Sequence, residues 1–226
     1  MQRIPDTDLW LPDGDTHFLK RDRAGLPTAP TYQHARIERA IEATTQRRTC
    51  IDAGAHIGII TRLLAKHFSR VIAFEPHPQT FKCLQRNTRH LPNVEIHRAA
   101  LGGVKGQMGI EMAPTTNSGD RQIISGTGVK VVTLDSLRLK DVDFIKMDIQ
   151  GYELFALQGA VRTLQRCRPV CLIEEALNKL RDDYGLQPRQ IGEFMVAQGA
   201  KLVTRLKRDN LYVFPSPEET SSRTDP

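Results

Sequence analysis

Residues 50–84 read CIDAGAHIGIITRLLAKHFSRVIAFEPHPQTFKCL. The stretch opens on a short apolar run, turns on glycines, continues with the apolar spacing of a helix, and returns to a second apolar run that ends in Glu75 and Pro76. A strand over 49–53, a helix from about Ile57 and a second strand ending at Glu75 make a β-α-β unit, so both strands end on the same edge of a parallel sheet. Gly54 falls in the tight turn after the first strand, where a positive φ is easy and a ligand can approach the backbone. Gly58 lets the helix pack closely, and the helix start exposes unpaired N–H groups. Asp52, at the first strand end, is placed to accept from turn amides or from a ligand ammonium. Glu75 faces the same crevice, where carboxylates bind the two hydroxyls of a ribose.

The spacing also narrows the ligand. A dinucleotide fingerprint reads GxGxxG, and its middle glycine lets a pyrophosphate touch the backbone. Here the turn is Gly54-Ala55-His56-Ile57-Gly58, with a histidine side chain at that middle position. A nucleoside ligand without phosphates suits it better. S-adenosylmethionine fits, with its amino-acid part by Asp52 and the turn and its ribose on Glu75.

Outward from this unit, strands and helices alternate. Helices are expected over 32–46, from Pro78 to about His90, over 152–167 and over 187–199, with short apolar strands at 93–100, 143–150 and 169–176. The glycine- and threonine-rich stretch 102–128 reads as a hairpin with an irregular loop, followed by VKVVTLDSL. Residues 200–215 read as a closing antiparallel hairpin, and "THFLKR" at 16–21 as a short strand. Short unbroken apolar strands between helices mean a parallel sheet covered on both faces, an α/β fold with ligands at the strand C-termini. The expected organisation is an N-terminal extension over 1–48 that covers the acceptor pocket, a main domain over 49–215, and a polar, disordered tail over 216–226.

The length of 226 residues suffices for one sizeable core. No apolar run reaches the roughly 18 residues of a membrane span, and no basic-then-apolar leader opens the sequence. The four cysteines, Cys50, Cys83, Cys167 and Cys171, form no CxxC pair and read as buried reduced thiols of a cytoplasmic protein. The net charge is +6, but the basic residues are scattered in short groups with few aromatics, so a solvated basic surface is favoured over a nucleic-acid interface.

A second cluster, DFIKMDIQGYELFALQGA at 143–160, puts Asp148 at another strand end, Gly151 in a turn and Glu153 in the first turn of a helix. Lys146 alternates with Ile145 and Met147, so it must face a crevice or pair with an acid. Glu174 and Glu175 end a further strand on opposite sides. Asn117 and Ser118 are candidates to line the cleft from the 103–128 loop.

Taken in order, IDAGAHIGIITRLLAK, VIAFEPHPQTFKCLQRN, NVEIHRAALGG, TLDSL, DFIKMDIQGYELFALQGA and RPVCLIEE resemble the FkbM family of S-adenosylmethionine-dependent methyltransferases, over roughly residues 50–175. The resemblance implies a class I methyltransferase, Rossmann-like fold: a seven-stranded, mostly parallel sheet with an antiparallel C-terminal strand and helices on both faces. It implies methyl transfer to an oxygen of a sugar or similar small acceptor, with S-adenosylhomocysteine as product. It assigns Asp52, Gly54, Ala55, His56 and Gly58 to the cofactor turn and Glu75, with Pro76 beside it, to the ribose. Ala100 and Leu101 fall to the adenine, and Asp148 to the methionine end. One position departs from the family, Gln150, where an acid is usual. Proton removal then falls to Asp148, Glu174, Glu153 or His56, with Asp148 and Glu174 ranked first. Asp148, Glu153 and Glu174 are alternatively able to hold a divalent ion, although no pattern calls for one. The rival readings are a ribose 2′-hydroxyl methyltransferase acting on nucleic acid and a non-catalytic cofactor-binding protein.

His56 in the turn generates a direct test. Calorimetry is expected to show binding of S-adenosylmethionine and S-adenosylhomocysteine and none of NAD. NAD binding tighter than S-adenosylhomocysteine would overturn the reading of the glycine turn.

Overall fold

The structure, a computed structural model, describes residues 1–110, 117–119, 122–175 and 184–215. The expected tail at 216–226 lies outside the described residues. The chain opens with a small antiparallel hairpin, β1 (Gln2–Arg3) on β2 (Trp10–Leu11). The strand expected at 16–21 is instead a single 3-10 turn, His17–Leu19. The carboxylate of Asp15 accepts from the His17 N–H at 2.8 Å, and such a local bond starts a turn in place of a strand. A second 3-10 turn, Ala29–Thr31, leads into α1 (His34–Glu42), which is shorter than the sequence pattern suggested.

From there the alternation holds: β3 (Thr49–Ala53), α2 (Ile59–Leu64), β4 (Arg70–Phe74), α3 (Pro78–Thr88) and β5 (Val94–His97). The run expected as one strand at 93–100 divides after β5. β6 (Ala100–Leu101) leaves the main sheet and joins β7 (Gly106–Ile110) and β8 (Ile123–Val132) in a second sheet of order β6-β8-β7. The hairpin expected within 102–128 is the antiparallel β7–β8 pair. Then come β9 (Val142–Met147), α4 (Glu153–Gln158), α5 (Val161–Cys167), β10 (Val170–Glu174), α6 (Gln190–Ala197), β11 (Lys201–Leu206) and β12 (Asp209–Val213).

The main sheet has seven strands in the order β11-β12-β10-β9-β3-β4-β5. β12 is antiparallel to both of its neighbours, while β10, β9, β3, β4 and β5 run parallel. The period of two along each strand sorts the core. Cys50, Val71, Phe144 and Leu172 pack with Ile37 and Ile41 of α1 and Leu63 and Leu64 of α2. Ile51, Ile72, Ile145 and Cys171 point the other way, onto Leu157 of α4, Leu164 of α5 and Met195 of α6. Cys50, Cys83 and Cys171 are buried, Cys167 is half-buried, and all four are free thiols.

The single helix expected over 152–167 is broken between α4 and α5. A Cβ on Gly159 would lie 2.0 Å from the carbonyl oxygen of Gly102, and the Gly159 carbonyl accepts from the Asp135 amide. The Asp135 carboxylate caps the new helix start, taking the Arg162 and Thr163 amides at 2.9 and 2.8 Å.

Gly54 shows how tightly the strand ends meet. A Cβ there would fall 1.9 Å from the carbonyl oxygen of Asp148, at a φ of +79°. Gly14 has a similar φ of +83° with nothing within 4 Å. Handedness alone costs about 1–2 kcal/mol at either position. Gly54→Ala is therefore expected to lower Tm by more than about 5 °C, and Gly14→Ala by clearly less, as read by thermal circular dichroism. Equal losses would show that the close approach carries no cost.

Candidate active site

The C-terminal ends of β3, β4 and β9 meet at the turn that follows β3. Gly54, His56 and Gly58 all take left-handed φ, at 79°, 53° and 90°. The Gly54 and Ala55 amides both donate to the Phe74 carbonyl at 3.0 Å, which ties the turn to β4. The Asp148 amide donates to the Ala53 carbonyl at 3.1 Å, which ties it to β9. Around this junction opens a cleft of about 1100 Å³, counted out to the solvent at its mouth.

Of the residues selected from the sequence, Gly54, Ala55, His56 and Glu75 line the cleft, as do Pro76, Ala100, Leu101 and Asp148. Glu75 is 7% exposed and already well bound within the protein. Its Oε2 accepts from the His56 amide at 2.9 Å, and its Oε1 accepts from the His77 amide at 2.9 Å and the Thr80 hydroxyl at 2.7 Å. Burial pushes its pKa up against the pull of these donors. With a single donor on it, Oε2 keeps acceptor capacity toward the cleft. Glu75 thus clamps the turn as well as facing the cleft, so the backbone-bound role that a carboxylate at a strand end can play holds beside the cleft-facing one.

Asp52 and Gly58 do not line the cleft. Asp52 is fully buried, accepts from the Thr61 hydroxyl at 2.7 Å and lies 3.5 Å from the Lys146 ammonium. Lys146 does both things its sequence position allowed. It pairs with this acid, and it also reaches the cleft, where Nζ donates to the Gly54 carbonyl at 3.1 Å. Burial works against its charge, but the Asp52 and Asp148 carboxylates outweigh burial and hold its pKa above the ordinary value. Gly58 serves packing: a Cβ there would come within 2.8 Å of Leu84 on α3.

The acidic cluster divides in the same way. Asp148 faces the cleft, where Gln150 Nε2 donates to its Oδ1 at 3.0 Å. Burial raises its pKa, but the Lys146 charge and the hydrogen bonds from Glu174 and Gln150 more than offset that, so Asp148 is held below the carboxylate range. Glu174 carries the proton of this pair. Burial and the Asp148 charge push it up to about 9. Glu153 is fully buried and turned away from the cleft. Its Oε1 accepts from the Ile149 amide at 2.8 Å and the Gly151 amide at 3.3 Å, and burial pushes it up to about 7. Neither Glu174 nor Glu153 lines the cleft. Among the described residues no three potential metal ligands converge.

The other side of the cleft comes from the N-terminal segment. His17, Phe18, Tyr32 and Gln33 line it, together with Asn117 and Ser118. The rings of His17, Phe18 and Tyr32 meet edge to face at 4.8–5.9 Å. The Ser118 hydroxyl and amide both donate to Asp15 Oδ2, and His56 Nε2 lies 2.7 Å from Ser118 Oγ. Asn117 and Ser118 were legible as cleft candidates. Asp15, His17, Phe18 and Tyr32 were not, because no local motif marks them.

Comparison with known proteins agrees with this geometry. The family described as the Methyltransferase FkbM domain matches residues 52–201. Hexuronic acid methyltransferase AglP of Haloferax volcanii is 26% identical over 172 residues, covering 72% of this chain and 67% of its own. Methyltransferase 1 of Beauveria bassiana is 26% identical over 141 residues; the match takes in 48% of this chain and 57% of that relative, little more than half its length. A solved S-adenosylmethionine-dependent methyltransferase from Aquifex aeolicus, 14% identical, superposes with a TM-score of 0.50 over 82% of this chain and 90% of its own, a likeness of fold.

Two variants test the acids. Glu75→Ala removes acceptors from two amides and a hydroxyl, so stability is expected to fall by at least about 2 kcal/mol. S-adenosylhomocysteine affinity is expected to fall by about 2–4 kcal/mol, roughly 30- to 1000-fold. A normal Tm would refute the clamp, and normal affinity in the folded protein would refute the ligand contact. Glu174 keeps a proton in the folded chain that the unfolded chain loses above its ordinary 4.5. Stability therefore falls as pH rises from that value toward about 9, and Glu153 acts with the same sign up to about 7. Glu174→Gln retains a donor to Asp148 without titrating. Its Tm near pH 8 is expected to exceed that of the wild type by about 2–4 °C, with the gap closing toward pH 5. A gap that widened on acidification would reverse the assignment of the proton.

Proposed function

This chain belongs to the FkbM methyltransferase family, an S-adenosylmethionine-dependent methyltransferase, and we propose that its acceptor is a sugar hydroxyl, of the hexuronic acid class. The cofactor, when bound, supplies a methyl group on a positively charged sulfur. Gly54, Ala55 and Pro76 would form its bed, Glu75 Oε2 would take a ribose hydroxyl, Ala100 and Leu101 would border the adenine, and the ionised Asp148 would face the charged end. The residues suit such a ligand: the turn carries a side chain at His56 where a pyrophosphate would need bare backbone.

The observation that carries the acceptor reading is the wall opposite this bed. Aromatic faces from His17, Phe18 and Tyr32 stand next to the amides of Gln33, Asn117 and Gln150. A pyranose presents that combination in mirror image, with C–H faces for the rings and hydroxyls for the amides. The hexuronic acid methyltransferase of Haloferax volcanii supports the same class. Alignment of a hydroxyl against an already activated methyl group provides much of the rate, which is what a rigid, walled cleft achieves. The free thiols suit a reducing compartment and action in the cytoplasm.

The test uses p-nitrophenyl β-D-glucuronide with S-adenosylmethionine, reading S-adenosylhomocysteine release and the methylated glycoside by mass spectrometry. Methylation of the glucuronide above that of the matching glucoside is expected. Methylation of an RNA oligonucleotide with none of either glycoside would replace the sugar reading by the nucleic-acid one.

A further inference from the structure

We propose that His56 Nδ1 takes the proton of the acceptor hydroxyl, and that Asp15, acting through Ser118, fixes the imidazole in the one tautomer that can do so. The inference rests on the sugar-hydroxyl reading and adds the base to it. An alcohol that gains a methyl group must lose its proton, so a base within reach of the acceptor is required. The carboxylic acids do not fill that place. Asp148 faces the cleft, but its carboxylate is already engaged by Gln150, Glu174 and Lys146. Glu174 already bears a proton and, like Glu153, lies off the cleft wall.

His56 lines the cleft, and its ring is oriented by a chain of hydrogen bonds. A carboxylate only accepts, so the single proton of the Ser118 hydroxyl points to Asp15 Oδ2. Ser118 Oγ can then only accept from His56, and at 2.7 Å this places the ring proton on Nε2. Nδ1 is left as an unprotonated acceptor. It has no hydrogen bond within the described residues, and it is not one of the buried polar atoms without a partner, so it opens on the cleft. Asp15 and Ser118 are 2% and 4% exposed, which protects the chain from competing water. The Phe18 ring packs against the imidazole at 5.6 Å, and the His56 backbone is pinned by its amide bond to Glu75.

The atoms balance. The acceptor oxygen forms the new O–CH3 bond with a lone pair, the S–CH3 bond breaks with its electrons left on sulfur, and the hydroxyl proton passes to Nδ1. The resulting imidazolium donates from Nε2 to Ser118, backed by the charge of Asp15, and later releases its proton to solvent. The groups that face the ring are Asp15 and His17 from the N-terminal segment and Lys146 and Asp148 from β9 and its end, with Glu75 on the backbone side. Burial lowers the His56 pKa to about 4, so the ring stays unprotonated through the neutral range. A weak base suffices, because the hydroxyl becomes strongly acidic as the O–C bond forms.

The test reads the proton directly. Imidazole nitrogen spectra of nitrogen-labelled protein with S-adenosylhomocysteine bound are expected to show His56 protonated on Nε2 alone, down to about pH 5. In Asp15→Asn the side chain can no longer accept from the His17 amide, the Ser118 amide and the Ser118 hydroxyl together, so the hydroxyl loses its fixed acceptor and part of the ring proton is expected on Nδ1. Ser118→Ala, which breaks the chain with less disturbance, is expected to give a mixture of tautomers. With p-nitrophenyl β-D-glucuronide, kcat is expected to fall at least about tenfold in Asp15→Asn and in His56→Asn. Asparagine tolerates the left-handed backbone at position 56, so S-adenosylhomocysteine affinity is expected to stay within about twofold. A wild-type proton on Nδ1, or His56→Asn turning over within about twofold of wild type, overturns the proposal. If wild type leaves the glucuronide untouched, the sugar reading falls alone and the nitrogen spectra decide the tautomer.

Discussion

The carbonyl of Asp148 occupies the space where any side chain on residue 54 would begin. That single contact brings the end of β9 against the turn after β3, and most of the site follows from it. With the two strand ends touching, Lys146 reaches the turn carbonyl of Gly54 while pairing with Asp52 below. The turn cannot relax away from β9 without breaking these bonds, nor from β4 without breaking the Glu75 clamp. The turn is therefore as rigid as the sheet that carries it.

Packing strand ends together also crowds acids. Asp52, Glu75, Asp148 and Glu174 gather near one lysine, with Glu153 beside Asp148, and repulsion among ionised carboxylates in so little water would be severe. The structure resolves this by giving each acid a different solution. Asp52 takes the lysine and a hydroxyl, Glu75 and Glu153 take backbone amides, and Glu174 keeps its proton and lends it to Asp148. Asp148, held below the carboxylate range, is left facing the cleft beside Glu75. Gln150, the position that departs from the family pattern, belongs to this arrangement: as an amide it donates to Asp148, whereas an acid would add a further negative charge.

The other side of the cleft is built differently. His17 and Phe18 of the first 3-10 turn, Tyr32 and Gln33 after the second, and the segment at 117–119 supply this wall. Ile4, Leu9, Leu11 and Phe18 anchor that wall by packing on Ile57, Ile59 and Cys83, the flank of the glycine turn and of α3. The segment that walls this side of the cleft is thus seated on the elements that carry the glycine turn.

Sequence alone determined the parallel sheet, the turn at Gly54, and the three strand ends carrying Asp52, Glu75 and Asp148, because strand and helix periods and glycine spacing are local properties of the chain. The cofactor class was legible for the same reason: His56 in place of a glycine is a statement about backbone access at one turn. Tertiary structure alone decided the rest. A period of two says that Glu174 and Glu175 face opposite ways, but not that Glu174 meets Asp148 off the cleft, since that depends on which strand lies alongside. The helix broken at Gly159 and β12 inserted between β10 and β11 depend on backbone contacts with distant segments. Asp15 and Ser118 stand 103 residues apart. Nothing in either neighbourhood marks them as partners, because a hydrogen bond between distant segments is specified by the shape into which the whole core folds, and local propensity carries no record of that shape.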